Sequence, residues 1–257
     1  MWAVYLARLM CMQRSLSEAR WPSCSFSRWR SCRVGGVSLE QLTIEASELS
    51  RRYGRRWVVR RINARFESGS FSLFVGPNGA GKTTLFRLLA GMLRPTEGEV
   101  VVREAGTGRD LEASEIRRYV ALLGHEPGCY AELSGAENLK LFAGLYGQPD
   151  DEKTLEAVLN RVGLGGVGLR PTSAYSRGML QRLGLARLII QDARIWLMDE
   201  PTTGLDHMGR DLLRTVLTEA RERGCTLVAI THDAPSFGED IDQIHRLERG
   251  RLIEGGS

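Results

Sequence analysis

Gly76-Pro77-Asn78-Gly79-Ala80-Gly81-Lys82-Thr83-Thr84 lies between an apolar run, Phe71-Ser72-Leu73-Phe74-Val75, and a helix-forming run, Leu85-Phe86-Arg87-Leu88-Leu89-Ala90. Glycines at this spacing let a loop curl with its backbone N–H groups turned inward, at a helix N-terminus that already attracts anions. The pattern G-x-x-x-x-G-K-T therefore reads as a phosphate cradle. Lys82 is expected to reach the β- and γ-phosphates of a nucleoside triphosphate, Thr83 to offer its hydroxyl to Mg²⁺, and Thr84 to lead into the helix. Average residue frequencies give roughly a one per cent chance of such a match in a chain of this length, and the strand–loop–helix setting lowers it further. Of 35 basic residues only Lys82, Lys140 and Lys153 are lysines. A chain that nearly always uses arginine uses lysine here.

Composition narrows the classes. At 257 residues, 42% apolar and 26% charged, the chain is long enough for a sizeable core. No apolar run approaches the roughly 18 residues that span a bilayer, so a membrane role requires a partner. The formal charge of +4 is unevenly spread: residues 1–36 hold six arginines and one acid, leaving 29 basic and 30 acidic residues in the body. That near-balance gives no support to a nucleic-acid partner. Cys11, Cys24 and Cys32 lie in the tail, Cys129 and Cys225 in the body, and no C-x-x-C framework is present, which points to reduced, cytosolic thiols.

Residues 1–36 mix Arg, Ser, Cys and Trp without a period and are expected to be disordered. Their composition suits a transit peptide better than a signal peptide, and the preferred reading starts the natural protein near Val34 or Val37. From Val37, strand-like runs at Leu42–Ala46, Gly98–Val102 and Tyr119–Leu123 frame the first α/β block. Ser134 and Glu137 form a capping box ahead of Leu139, Leu141, Phe142 and Leu145. Helical spacing of Leu155, Val158, Leu159 and Val162 gives a second helix over 151–162, and Met179, Leu180, Leu183, Leu185 and Leu188 a third beginning beside Gly178. Residues 125–185 thus read as a helical insert. Two buried strands follow, Arg194–Met198 ending at Asp199-Glu200-Pro201 and Thr226–Ile230 ending at Thr231-His232-Asp233. Alternating strands and helices imply a mostly parallel α/β sheet, with Gly76, Asp199 and His232 all at carboxyl ends, where such sheets bind ligands.

Together these motifs resemble the ATP-binding subunit of ABC transporters, from about Val37 to residue 257. The resemblance implies a P-loop NTPase core of RecA-like type, an N-terminal antiparallel β subdomain and the helical insert. The cofactors implied are ATP and Mg²⁺, with Gly76, Pro77, Asn78, Gly79, Ala80, Gly81, Lys82, Thr83 and Thr84 around the phosphates. Tyr175-Ser176-Arg177-Gly178-Met179-Leu180-Gln181-Arg182 is similar to the family signature, usually opening L-S-G-G-Q; Tyr175 and Arg177 depart from it, while Ser176 and Gly178 are assigned to the γ-phosphate of ATP on a second subunit. Asp199 matches the aspartate that holds Mg²⁺ with Thr83. Glu200 matches the residue that handles the attacking water, and His232 the histidine that reaches the γ-phosphate; Lys82 completes this catalytic set. Thr203-Gly204-Leu205-Asp206 is similar to a loop contacting the opposite subunit, and Tyr53 sits where an aromatic stacks on adenine. His207 and His245 have no such match and read as surface histidines.

His125 falls at the position usually held by glutamine, as a Mg²⁺ ligand, a sensor of the transmembrane partner, or a plain surface histidine. The run Gly124-His125-Glu126-Pro127-Gly128, with Glu132-Leu133 and Glu137-Asn138-Leu139, is similar to heme exporter ATPases of cytochrome c maturation. Ser176-Arg177-Gly178-Met179 is common among exporters of drugs, lipids and polysaccharides. The implied protein is an ATPase homodimer on the cytoplasmic face of the cell membrane, bound to an integral membrane permease. A soluble ABC ATPase of translation or DNA repair and an unrelated P-loop kinase are the distant alternatives.

Overall fold

The computed structural model describes residues 41–253 except 105, 112, 127 and 239. The tail 1–36, the start near Val34 or Val37, and Pro127 lie outside the described residues. The first strands are β1 (Leu42–Tyr53), β2 (Arg56–Phe66), β3 (Phe71–Val75) and β4 (Glu97–Glu104), with helix α1 (Lys82–Leu89) between the last two. Then follow α2 (Ala113–Tyr119), β5 (Val120–Leu123), α3 (Gly135–Tyr146), α4 (Glu152–Arg161), α5 (Arg177–Gln191), β6 (Ile195–Asp199), α6 (His207–Glu222), β7 (Thr226–Ile230), β8 (Gln243–Glu248) and β9 (Arg251–Ile253).

One sheet is antiparallel, ordered β2-β1-β4; the other runs β5-β6-β7-β3-β8-β9 and is parallel except at its β8-β9 edge. This is the expected α/β P-loop NTPase architecture. Adjacent residues of the central strands enter opposite cores, as the strand period of two requires. Leu73, Trp196, Met198, Leu227 and Ala229 pack with α3, α4, α5 and α6 on one face. Phe74, Ile195, Leu197, Val228 and Ile230 pack with α1 and the antiparallel sheet on the other. Continuous apolar runs are what strands covered on both faces need.

Helix starts follow local chemistry. Ser134 Oγ accepts from the Glu137 N–H (3.2 Å) while the Glu137 carboxylate accepts from the Ser134 N–H (2.8 Å), so the capping box forms as read and holds the Glu137 pKa below its ordinary value. Asp151 caps α4 through the Thr154 N–H. Tyr119, expected to open a strand, instead closes helix α2, and β5 begins one residue later. The helices of the central segment extend from Gly135 to Gln191, six residues past the expected end of the insert, and the described residues between 124 and 134 are loop.

His245 is not a surface residue. It pairs with Phe74 in the β3–β8 register, stacks on that ring at 4.9 Å and meets Phe66 edge-on at 5.7 Å. Its Nε2 is buried without a hydrogen-bond partner, and burial pushes its pKa down from the ordinary value. A histidine whose folded pKa lies below its unfolded one favours the neutral form, so stability falls as pH drops through and below the unfolded value of about 6.5. His245→Phe is expected to lose less stability between pH 7.5 and pH 5.5 than the parent chain, read as the shift in urea midpoint.

Candidate functional site

The order β6-β7-β3 places three carboxyl strand ends side by side. β3 delivers Gly76, β6 delivers Asp199 and Glu200, and β7 delivers Thr231 and His232. Between Gly76 and α1 the chain turns sharply, and two glycines are there for lack of room as much as for conformation. A Cβ on Gly76 (φ 155°) would lie 2.1 Å from the Leu247 carbonyl oxygen of β8, and one on Gly81 (φ 104°) 2.5 Å from the Val58 carbonyl oxygen of β2. Pro77, Asn78, Gly79 and Ala80 form the turn between them, and Thr84 lies in the first turn of α1.

Lys82 folds back over this turn and donates to the Gly76 carbonyl (2.6 Å) and the Pro77 carbonyl (3.2 Å). Burial lowers its pKa, and the nearby Glu200 and Asp199 carboxylates oppose that. Thr83 Oγ1 donates to Asp199 Oδ2 at 2.8 Å, joining the first turn of α1 to the end of β6. Glu200 has a left-handed backbone (φ 55°), rare for glutamate, held by its N–H donating to the Ile230 carbonyl. Its Oε1 is buried and lies 3.3 Å from His232 Nε2 without the alignment of a hydrogen bond. Burial raises the Glu200 pKa, partly offset by His232. An open recess of about 330 Å³ lies beside them, lined by Val75, Gly76, Pro77, Thr231, His232 and Arg246.

The remaining residues cluster elsewhere. Tyr53, at the end of β1, is half exposed, with the Arg51 guanidinium 4.9 Å from its ring centroid. Ser176 caps α5, its Oγ accepting from the Met179 N–H (3.2 Å), and Gly178 packs so closely on the loop after β6 that a Cβ would lie 2.6 Å from the Gly204 carbonyl oxygen. Asp206 caps α6 by accepting from the Gly209 N–H at 2.8 Å. None of the hydrogen bonds found for Ser176, Gly178 or Asp206 among the described residues reaches the loop 76–84. His125 is exposed, with Nε2 3.2 Å from Arg177 Nη2. Sequence reading passed over one connector. Gln181 is buried and donates to the Pro201 carbonyl (3.1 Å), with the Glu200 carbonyl at 3.5 Å, tying α5 to the carboxylate loop. Its signal was an amide among leucines on a buried helix face.

A strand–glycine loop–helix turn with lysine, hydroxyl and two strand-end carboxylates gathered at the carboxyl edge of one parallel sheet defines a P-loop ATPase. This chain belongs to the ABC transporter family, whose model matches residues 59–203. Among its relatives, the lantibiotic transport ATP-binding protein SrtF of Streptococcus pyogenes is 31% identical, over 82% of this chain and 89% of that protein. The cytochrome c biogenesis ATP-binding export protein CcmA 2 of Cupriavidus metallidurans is 37% identical, over 77% and 94%. A solved structure of an ATP-binding subunit of an ABC transporter superposes with a TM-score of 0.74 at 25% identity, covering 83% of this chain and 89% of that one. The chain is thus an ABC ATPase domain, and among its described residues no helix is long and apolar enough to cross a membrane.

The crowding at Gly76 sets a test. Gly76→Ala is expected to lower the melting temperature by several degrees, at about 2–4 °C per kcal/mol for a chain of this size, and to weaken ATP binding in the same preparation. Calorimetry and nucleotide titration check both.

Proposed function

We propose that the chain is the ATP-hydrolysing subunit of an exporter, working as a homodimer beneath an integral membrane permease on the cytoplasmic face of the membrane. The observation that carries this reading is the convergence of Lys82, the Thr83–Asp199 pair and the Glu200–His232 pair at the carboxyl edge of the sheet, while Ser176 and Gly178 stand apart at the start of α5. A phosphate site with half of its residues turned elsewhere is completed by a second copy.

In this reading adenine stacks on Tyr53, whose ring already carries the Arg51 cation on one face. The N–H groups of the loop 76–84 cradle the phosphates, and Lys82 exchanges its bonds to Gly76 and Pro77 for phosphate oxygens. The Thr83 hydroxyl and Asp199 carboxylate, hard oxygen donors already 2.8 Å apart, fit Mg²⁺ and would hold it. The ion would neutralise charge developing on the transferred phosphoryl group. Glu200 orients and deprotonates the attacking water; its raised pKa makes it a better base than an ordinary glutamate, and His232 stabilises the γ-phosphate beside it. Closure of the dimer on ATP is passed to the permease through the helices α3 to α5, and residues 37–257 form the functional unit.

Heme export for cytochrome c maturation is the proposed cargo, supported by 37% identity to CcmA 2 and by the run Gly124–Leu139. Export of a lantibiotic is the second reading, favoured by the larger share of this chain that matches SrtF, 82% against 77% for CcmA 2. Copurification of the chain with its permease, followed by transport of heme or of a lantibiotic in vesicles, separates them.

Glu200→Gln is expected to keep ATP binding, to lose at least about 10²-fold in turnover, and to accumulate an ATP-bound dimer on size exclusion; normal hydrolysis by that variant removes Glu200 from its role. The acid limb of the kcat–pH profile is expected above the ordinary glutamate range of about 4.3, because the raised pKa keeps Glu200 protonated, and inactive as a base, to higher pH.

A further inference from the structure

We propose that Arg177 and His125 are a positioning pair, locking the loop between β5 and α3 onto the first turn of α5 so that Ser176 and Gly178 are presented at a fixed place. Arg177 is always a donor, so at 3.2 Å its Nη2–H bond requires His125 Nε2 to be the acceptor, with the ring neutral and its proton on Nδ1. The stem of the same arginine lies across Gly204, where a Cβ would meet its Cγ at 3.0 Å and its Cβ and Cδ at 3.3 Å. Arg177, the first residue of α5, therefore meets two loops at once: the loop after β6 and the loop after β5. Gln181, one turn along α5, fastens the same helix to the carbonyls of Pro201 and Glu200. The pair sets the outer edge of a junction whose inner edge is Gln181. With the guanidinium engaged by His125, the cation beside Ser176 and Gly178 is held within its own subunit, and His125 acts through Arg177 rather than on the metal.

The assignment rests on the ATPase reading only for its consequence in turnover; the contact is tested separately. The full chain is compared with His125→Ala, His125→Gln, Arg177→Met and the His125→Ala/Arg177→Met double variant. Methionine keeps the stem over Gly204 and removes the guanidinium; the glutamine amide oxygen can replace the imidazole acceptor. In urea unfolding, the double variant is expected to lose less than the product of the single effects, by about threefold in the unfolding constant, and His125→Gln to stay near the parent. In ATP hydrolysis, His125→Ala, Arg177→Met and the double variant are expected to show the same fall in kcat, about three- to tenfold, with KM within about twofold. Multiplicative effects in the unfolding cycle overturn the pair. A loss in Arg177→Met far beyond that in His125→Ala, or a rise in KM for ATP, also overturns it, because Arg177 would then act on nucleotide. An inactive parent chain removes the hydrolytic reading while the unfolding cycle still decides the contact.

Discussion

The glycine turn between β3 and α1 is where both sheets of this molecule touch, and there is no room in it for a side chain. Gly76 lies against Leu247 of the parallel sheet and Gly81 against Val58 of the antiparallel one. Gly250, between β8 and β9, donates to the Ala80 carbonyl and accepts from the Arg60 N–H, closing the ring of backbone around the turn. Three backbone segments approach one another at distances that even a methyl group would forbid. Ala80 is held by the Gly250 N–H, and the Gly76 and Pro77 carbonyls by the Lys82 ammonium, so part of the cost of ordering the loop is met in folding rather than in binding.

From that seam the rest of the site is a matter of strand order. β6, β7 and β3 are neighbours, so residues separated by more than a hundred positions in sequence end on one line. The Thr83–Asp199 hydrogen bond spans that line, and the Glu200 N–H to the Ile230 carbonyl ties the end of β6, which carries both carboxylates, to β7, which carries His232. The helical side of the molecule is attached to this line through α5, whose buried Gln181 reads the position of the carbonyls that follow the carboxylates. The helices thus meet the carboxylate loop through one short hydrogen-bonded connection.

Much of this was legible before any coordinates. The apolar runs of β3 and β7 set their own limits because both faces of those strands are covered, and the Ser134–Glu137 capping box forms as its spacing says. Helix α6 carried a clear signal, Asp206 followed by Leu213, Val216, Leu217 and Ala220 at helical spacing, but Asp206 had been read for contact with another subunit rather than as a cap. The short α2 and the polar strands β8 and β9 gave little to see. β8 packs one face only, so its buried Leu247 and half-buried His245 sit among exposed residues. For the same reason His245 looked like a surface residue. Its aromatic surroundings come from Phe66 of β2 and Phe74 of β3, in the first third of the chain, and no local pattern announces them. The Arg177–His125 contact escaped in the same way, since each residue was weighed alone as a departure from a motif.

The left-handed backbone at Glu200 has a consequence for how such a chain drifts over generations. Glycine adopts that conformation without the strain a glutamate carries there. At the position proposed to handle water, a replacement that relaxes the backbone would also discard the carboxylate, so relief of local strain and loss of function lie in the same direction. Selection on turnover alone keeps glutamate at this turn; a lineage released from that selection would slide towards a sturdier, silent nucleotide-binding protein, with the fold giving no resistance.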